Sequence, residues 1–275
     1  MKISKLLIIF FLITSLIKAK EKYVKAELFS YTNSIQPGIL FWVGVKLSHK
    51  PEWHTYWRNP GDSGLPTKIE WELPEGFANG EIEWPSPSLY IVDGIANFGY
   101  EKETTLLISI TPPKNLKPGT KIFLKAKVSW LACRVECVPE SENLTFSLPV
   151  INKKAEVDKN FKRQFNNAIQ KLPLKENPFP ISAALNNNSA IITVKNPKIK
   201  DSGNNDIRFF PYEPGYFDNL SPQKFNKTAN GFTLQIMLDN FKIGVPKKLY
   251  GVLYNKSGWS NKDNTALEVE IKFKN

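Results

Sequence analysis

Apolar residues recur at every second position over much of this chain. Val24, Ala26 and Leu28 alternate with polar neighbours, and Ile39, Phe41, Val43, Val45 and Leu47 hold one parity. Ile69, Trp71 and Leu73 repeat the pattern. The clearest run is Ile122, Leu124, Ala126, Val128 and Trp130, and Leu144, Phe146 and Leu148 close the series. A period of two buries one face of a strand and wets the other. Turn signals separate the runs: Gln36-Pro37-Gly38, Asn59-Pro60-Gly61-Asp62-Ser63-Gly64, Pro74-Glu75-Gly76 and Lys117-Pro118-Gly119. Many short strands with Pro/Gly turns and no helix between them predict an antiparallel β-sandwich over residues 20–150.

The period changes over residues 151–173. Val157, Phe161, Phe165, Ile169 and Leu172 fall on one face of a helix, and Pro173 ends it. The expectation is a linker helix packed on a domain. Strand patterns return over residues 174–275, best at 190–194, 231–238, 249–254 and 267–273. They predict a second, smaller β domain, so the fold class is all-β.

Residues 1–19 read as an export signal. Lys2 and Lys5 precede an apolar run over 6–17, which is short for a membrane span. Cleavage after Ala19 fits, but Ile17 is a poor match to the small-residue rule, so an uncleaved N-terminal anchor stays open. The net charge is +11. Only four of the basic residues are arginine (Arg58, Arg134, Arg163 and Arg208), and the lysines are scattered. Base reading and bidentate phosphate contacts favour Arg, so the lysines read as a solvated surface and no nucleic-acid partner is expected.

The chain has two cysteines, Cys133 and Cys137, inside Ser129-Trp130-Leu131-Ala132-Cys133-Arg134-Val135-Glu136-Cys137-Val138-Pro139-Glu140. Four extended residues span about 13 Å, whereas a disulfide needs Cα atoms about 4.4–6.8 Å apart, so bonding requires a turn between them. Closing so small a loop stabilises a fold by only about 2 kcal/mol in the chain-entropy model. A chain of this size has ample core without it. A tight, easily reduced pair therefore suits reversible thiol–disulfide exchange better than stapling. Arg134 beside Cys133 favours its thiolate, and Glu136 opposes that at Cys137, which marks Cys133 as the expected nucleophile. Two rivals stay open: a non-catalytic adaptor with a static bridge, and a thiol metal site. The thiols with His49 and His54 would make a zinc set of unusual spacing, and Cu(I) handling would find Met237 as the only methionine after the leader. No hydrolase elbow and no Gly-rich phosphate loop is present, and no cofactor is expected. Asn143-Leu144-Thr145 and Asn226-Lys227-Thr228 match only a short glycosylation pattern.

Longer segments carry a family resemblance. They are Trp53-His54-Thr55-Tyr56-Trp57-Arg58-Asn59-Pro60-Gly61-Asp62-Ser63-Gly64-Leu65-Pro66-Thr67, Leu73-Pro74-Glu75-Gly76-Phe77, Asn97-Phe98-Gly99-Tyr100-Glu101, and the cysteine segment itself. Together they resemble the periplasmic N-terminal region of the thiol:disulfide interchange reductases DsbD and ScsB, the disulfide bond corrector domain, and more closely the ScsB type. Phe209-Phe210-Pro211-Tyr212-Glu213-Pro214-Gly215 and Leu249-Tyr250-Gly251-Val252-Leu253 resemble the second ScsB-type domain more loosely. The resemblance implies an immunoglobulin-like sandwich in the periplasm, with Cys133 and Cys137 as the catalytic pair. It implies two-electron transfer between a membrane thiol–disulfide donor and periplasmic thioredoxin-like or disulfide-bearing proteins. The sequence shows no membrane channel and no thioredoxin-like stretch, so that donor is expected in trans. It further implies an aromatic loop over the pair, placed near 90–100, with Tyr90, Phe98 and Tyr100 as shielding candidates. The aromatic Trp53–Trp57 segment is otherwise expected to fill core, with His54 structural.

Overall fold

A computed structural model describes residues 21–196, 206–259 and 264–273. The leader read over residues 1–19 lies outside them. The first half contains β1 (Val24–Ser30), β2 (Phe41–His49), β3 (His54–Gly61), β4 (Lys68–Glu72) and β5 (Ala78–Glu83). It continues with β6 (Ser88–Val92), β7 (Ile95–Glu101), β8 (Glu103–Thr111), β9 (Lys121–Cys133) and β10 (Cys137–Pro149). One helix, α1 (Lys162–Gln170), follows. The second half contains β11 (Ile181–Leu185), β12 (Ser189–Val194), β13 (Ile207–Pro211), β14 (Lys224–Thr228), β15 (Gly231–Met237), β16 (Lys248–Asn255) and β17 (Ala266–Lys272).

The fold is all-β and immunoglobulin-like. In the first half a sheet of order β1-β2-β8-β5 faces one of order β10-β9-β3-β7-β6, with β4 on the flank of β9. The alternating residues of the sequence lie between them: Phe41, Val43, Val45 and Leu47 from β2, and Leu124, Ala126, Val128 and Trp130 from β9, are all buried. In the second half β11-β12-β15-β14 faces β13-β16-β17, with Ile192, Val194, Leu234, Ile236, Leu253 and Val269 between. Among the described residues no helix is long and apolar enough to cross a membrane.

The helix is shorter than its periodicity predicts. Val157 bridges Thr32, and the Asp158 amide donates to the Tyr31 carbonyl, so residues 157–158 extend the end of β1 instead of starting a helix. Only Phe165 and Ala168 of α1 are buried, against Phe29 and Leu107, and Ile169 is half exposed. This packing covers the outer face of β2 as well. Gly44 is required there, because a Cβ would stand 2.3 Å from the Phe29 ring.

The two halves share apolar contacts. Phe210, Tyr212, Val252 and Ala266 belong to the same buried cluster as the first sandwich. Trp57 meets Phe210 edge-on at 6.2 Å and Tyr212 at 5.3 Å, and Phe98 meets Phe210 at 5.1 Å. The Asn59 side-chain amide donates to the Pro211 carbonyl, and that of Asn219 donates to Asp62. The Asn59-Pro60-Gly61-Asp62 turn is therefore also the joint between the halves.

Candidate functional site

The β9–β10 hairpin is the longest pairing of the first half. It runs from Lys121 opposite Pro149 up to Cys133 opposite Cys137. Burial of alternate β9 residues fixes this register, because a one-residue slip would turn that set to solvent. The register brings the cysteines face to face, and Arg134, Val135 and Glu136 form the connecting loop. The Arg134 amide donates to the Glu136 carbonyl, and a disulfide joins the cysteines with Cα atoms 4.1 Å apart. The two sulfur-bearing residues differ in access. Cys133 is 2% exposed, whereas Cys137 is exposed, as is Val135 at 79%.

Strand β3 supplies the floor of the site. His54 pairs with Cys133 on one side and with Glu101 on the other. Side chains of directly opposed residues leave the sheet on the same face, so the His54 ring lies on the cysteine face. Tyr56, two residues on, shares that face, and its hydroxyl is 3.7 Å from Cys137 Sγ. Because a disulfide sulfur carries no proton, the phenol is the donor. The Tyr90 ring from β6 stacks on His54 at 5.3 Å and 13°, and the Tyr56 ring meets His54 edge-on at 5.2 Å. Both Tyr56 and His54 are 2% exposed. Burial pushes the Tyr56 and Tyr90 phenols up and the His54 imidazole down, so all three are neutral near neutral pH. His54 Nε2 is buried and has no hydrogen-bond partner.

The turn after β3 holds Tyr56 in place. Gly64 adopts φ +97°, and a Cβ there would lie 2.2 Å from the Tyr56 ring. Ser63 Oγ donates to Asn97 of β7, and the Asp62 carboxylate accepts from the Ala96 amide. Glu140, just beyond Cys137-Val138-Pro139, accepts from the Tyr23 and Val24 amides and from Trp130 Nε1, which ties β1 to the cysteine hairpin.

The structure separates the three aromatic candidates. Residues 88–101 form the β6–β7 hairpin, not a loop, with Asp93 and Gly94 at positive φ in its two-residue turn. Strand alternation sends Phe98 and Tyr100 to the opposite face from the disulfide. Phe98 packs on Trp57 and Phe210, and the buried Tyr100 hydroxyl donates to the Pro85 carbonyl. Of the three, Tyr90 alone is on the face of the disulfide, where it stacks on His54. Tyr90 also lines a cleft of about 740 Å³ shared with Pro85, Arg208 and Tyr254.

Arg134 is turned to Glu52, Nη1 to carboxylate 3.1 Å, instead of resting on Cys133. Cys133, expected as the nucleophile because Arg134 adjoins it, is the buried member of the pair. His49 bonds the Thr55 hydroxyl and faces the Lys102 carbonyl. Among the described residues no three His, Cys, Asp or Glu side chains gather to hold a metal. Tyr56 joins the site without a motif of its own, and His54 joins it as a neighbour of Cys133, not as a metal ligand. The signal that finds them is parity: they alternate with the core residues Trp53, Thr55 and Trp57 on the strand that pairs with Cys133.

The site is thus a cross-strand cysteine pair on an immunoglobulin-like sandwich, floored by His54 and Tyr56, with Tyr90 stacked on His54. Residues 22–149 match the family model described as thiol:disulfide interchange protein DsbD, N-terminal. Over this region the chain is similar to that family, and the match ends where β10 ends. Family and cysteine pair together support thiol–disulfide exchange as the general chemistry. The whole fold is similar to the crystal structure of the N-terminal periplasmic domain of ScsB from Proteus mirabilis, with TM-score 0.66 and 18% identity over 94% of this chain and 96% of that one. A family 123 glycoside hydrolase from Clostridium perfringens is matched over 48% of this chain and 28% of its own, at 13% identity and TM-score 0.27, too low to carry an argument. No curated protein is matched.

Proposed function

We propose that this protein is a periplasmic thiol–disulfide exchange protein that passes two electrons through Cys133 and Cys137, between a membrane redox donor and periplasmic disulfide-bearing or thioredoxin-like proteins. The observation that carries the reading is the unequal exposure of the two cysteines in one closed pair. An incoming thiolate reaches Cys137 Sγ, the Cys133–Cys137 bond breaks, and Cys133 departs with the electron pair. The donor's second thiolate then attacks its own sulfur in the mixed disulfide and releases Cys137, leaving donor disulfide and protein dithiol. In the onward step Cys137 attacks the acceptor disulfide, and Cys133 closes the bond again. The Tyr56 hydroxyl points at Cys137 Sγ and stabilises charge there in each mixed disulfide exchange. Tyr90, stacked over His54, limits access from the β6 side.

The test is a free-thiol titration of the protein across a glutathione redox-buffer series. A pair that opens and closes reversibly within the range of compartment potentials supports exchange. A bridge that stays closed in strong reductant overturns it in favour of a static adaptor.

A further inference from the structure

His54 is the group at the site that packing leaves unexplained. Its residue is buried and directly opposes Cys133 across the strand pair, yet Nε2 has no hydrogen-bond partner. Buried polar atoms are nearly always satisfied, and an exception at a reactive site points to a partner present in another state of the molecule. Directly opposed residues on antiparallel strands hold their Cβ atoms about 4.5–5.5 Å apart, within side-chain reach. The disulfide sulfur of Cys133 has no proton to offer. The reduced thiol has one.

We infer that His54 is the proton acceptor for Cys133, taking the thiol proton as Cys133 closes the disulfide onto Cys137. The inference rests on the exchange reading above. The step begins with a mixed disulfide between Cys137 and the partner, and with Cys133 as a thiol. Cys133 Sγ attacks Cys137 Sγ, and its proton passes to His54 Nε2. The Cys137–partner bond breaks and the partner leaves as a thiolate. The products are the Cys133–Cys137 disulfide, an imidazolium and the partner thiolate, which is then protonated from the imidazolium or from water. The partner is reduced by two electrons and the pair is oxidised by two. In reverse, the imidazolium protonates Cys133 as it leaves.

The surroundings give this base a task. Cys133 is buried, and Arg134, the guanidinium next to it in the chain, is held by Glu52 instead of facing a thiolate there. Burial keeps the imidazole neutral and able to accept. The other titratable groups facing the ring do not compete. Glu101 on β7 forms no ion pair with it among the described residues. Tyr90 on β6 and Tyr56 on β3 are kept protonated by burial, and His49 on β2 is engaged with Thr55.

The experiment is single-turnover oxidation of the reduced full-length protein by glutathione disulfide. Acid-quenched samples are resolved by mass into dithiol, mixed disulfide and closed disulfide. His54→Gln is expected to leave mixed-disulfide formation within about twofold and to slow closure by about a hundredfold near neutral pH, the low end for loss of a general base. Closure in the variant should also climb with pH where the wild type is flat, which a merely structural role would not produce. Equal closure profiles in the two proteins overturn the inference. If His54→Gln fails to fold, imidazole nitrogen shifts of the wild type decide. A change at Nε2 on reduction supports the bond to Cys133, and identical spectra in both redox states overturn it. If glutathione disulfide does not oxidise the dithiol at all, the exchange reading itself fails, an outcome distinct from an unchanged closure profile.

Discussion

Cys133 and Cys137 face each other at the last register position of one hairpin, yet only Cys137 meets solvent. Cys133 is buried on the outer face of its sheet, opposite His54 on the neighbouring strand, while Ala132 before it faces the apolar interior. Cys137 lies on the outer strand of the pair, with the Tyr56 hydroxyl as its polar neighbour. Access assigns different parts to two chemically identical residues.

That assignment is testable by trapping. Cys133→Ser leaves the exposed thiol without a resolving partner and should accumulate a reductant-sensitive mixed disulfide with the redox partner in cells. Cys137→Ser leaves only the buried thiol, which should react with iodoacetamide at least about tenfold more slowly than the thiol of Cys133→Ser, since exposure governs thiol reactivity. Equal alkylation rates, or adducts captured only by Cys137→Ser, would contradict the assignment.

Gly64 controls Tyr56. At φ +97° and with the ring where a Cβ would stand, Gly64→Ala must move the phenol or the turn. The backbone conformation alone costs about 1–3 kcal/mol for a residue other than glycine. The expected result is a lowered thermal midpoint together with slower exchange at Cys137, because the hydroxyl leaves the sulfur. Retained stability with retained exchange would show that the turn adapts freely.

Asn59 tests the joint between the halves. Its amide is buried and donates to the Pro211 carbonyl at 2.8 Å, while its Oδ1 accepts from the Gly61 amide. Asn59→Ala strands the Pro211 acceptor, at a cost of about 1–3 kcal/mol for an unsatisfied buried group. Calorimetry should show the loss, with the Cys133–Cys137 disulfide still formed. An unchanged unfolding midpoint would mean that Asn59 contributes nothing to the joint.

His49 sets a pH dependence. Burial, against the raising effect of the Lys102 carbonyl, holds its imidazole down to about 4 from the ordinary 6.5. The unfolded chain therefore takes up a proton between pH 6.5 and 4 that the folded chain refuses. The stability it supplies is whole above pH 6.5 and is lost as pH falls toward 4, about 3 kcal/mol in all. His54, lowered by burial as well, acts in the same direction. Urea unfolding of the wild type at pH 7 and pH 4.5 should show this drop, and His49→Gln should shrink it. The same drop in both proteins would remove His49 from the account.

The sequence by itself determined the sandwich and the pair. A strict period of two in β2 and β9 is enough to define which face is buried, and burial of that face fixes the hairpin register that sets Cys133 opposite Cys137. The helix was legible in kind but not in extent, because pairing of Val157 with Thr32 outweighs local helical spacing, and that pairing joins residues far apart in the chain. The surroundings of the sulfurs were decided by tertiary structure alone. Parity shows that His54 and Tyr56 share a face, but only the order β10-β9-β3-β7-β6 places that face against the cysteines. The same order turns Phe98 and Tyr100 inward and brings Tyr90 across. Periodicity reports which side of a strand is dry. Which strand lies next to it is settled by contacts between distant segments, and those neighbours are what give Cys133 and Cys137 their different surroundings.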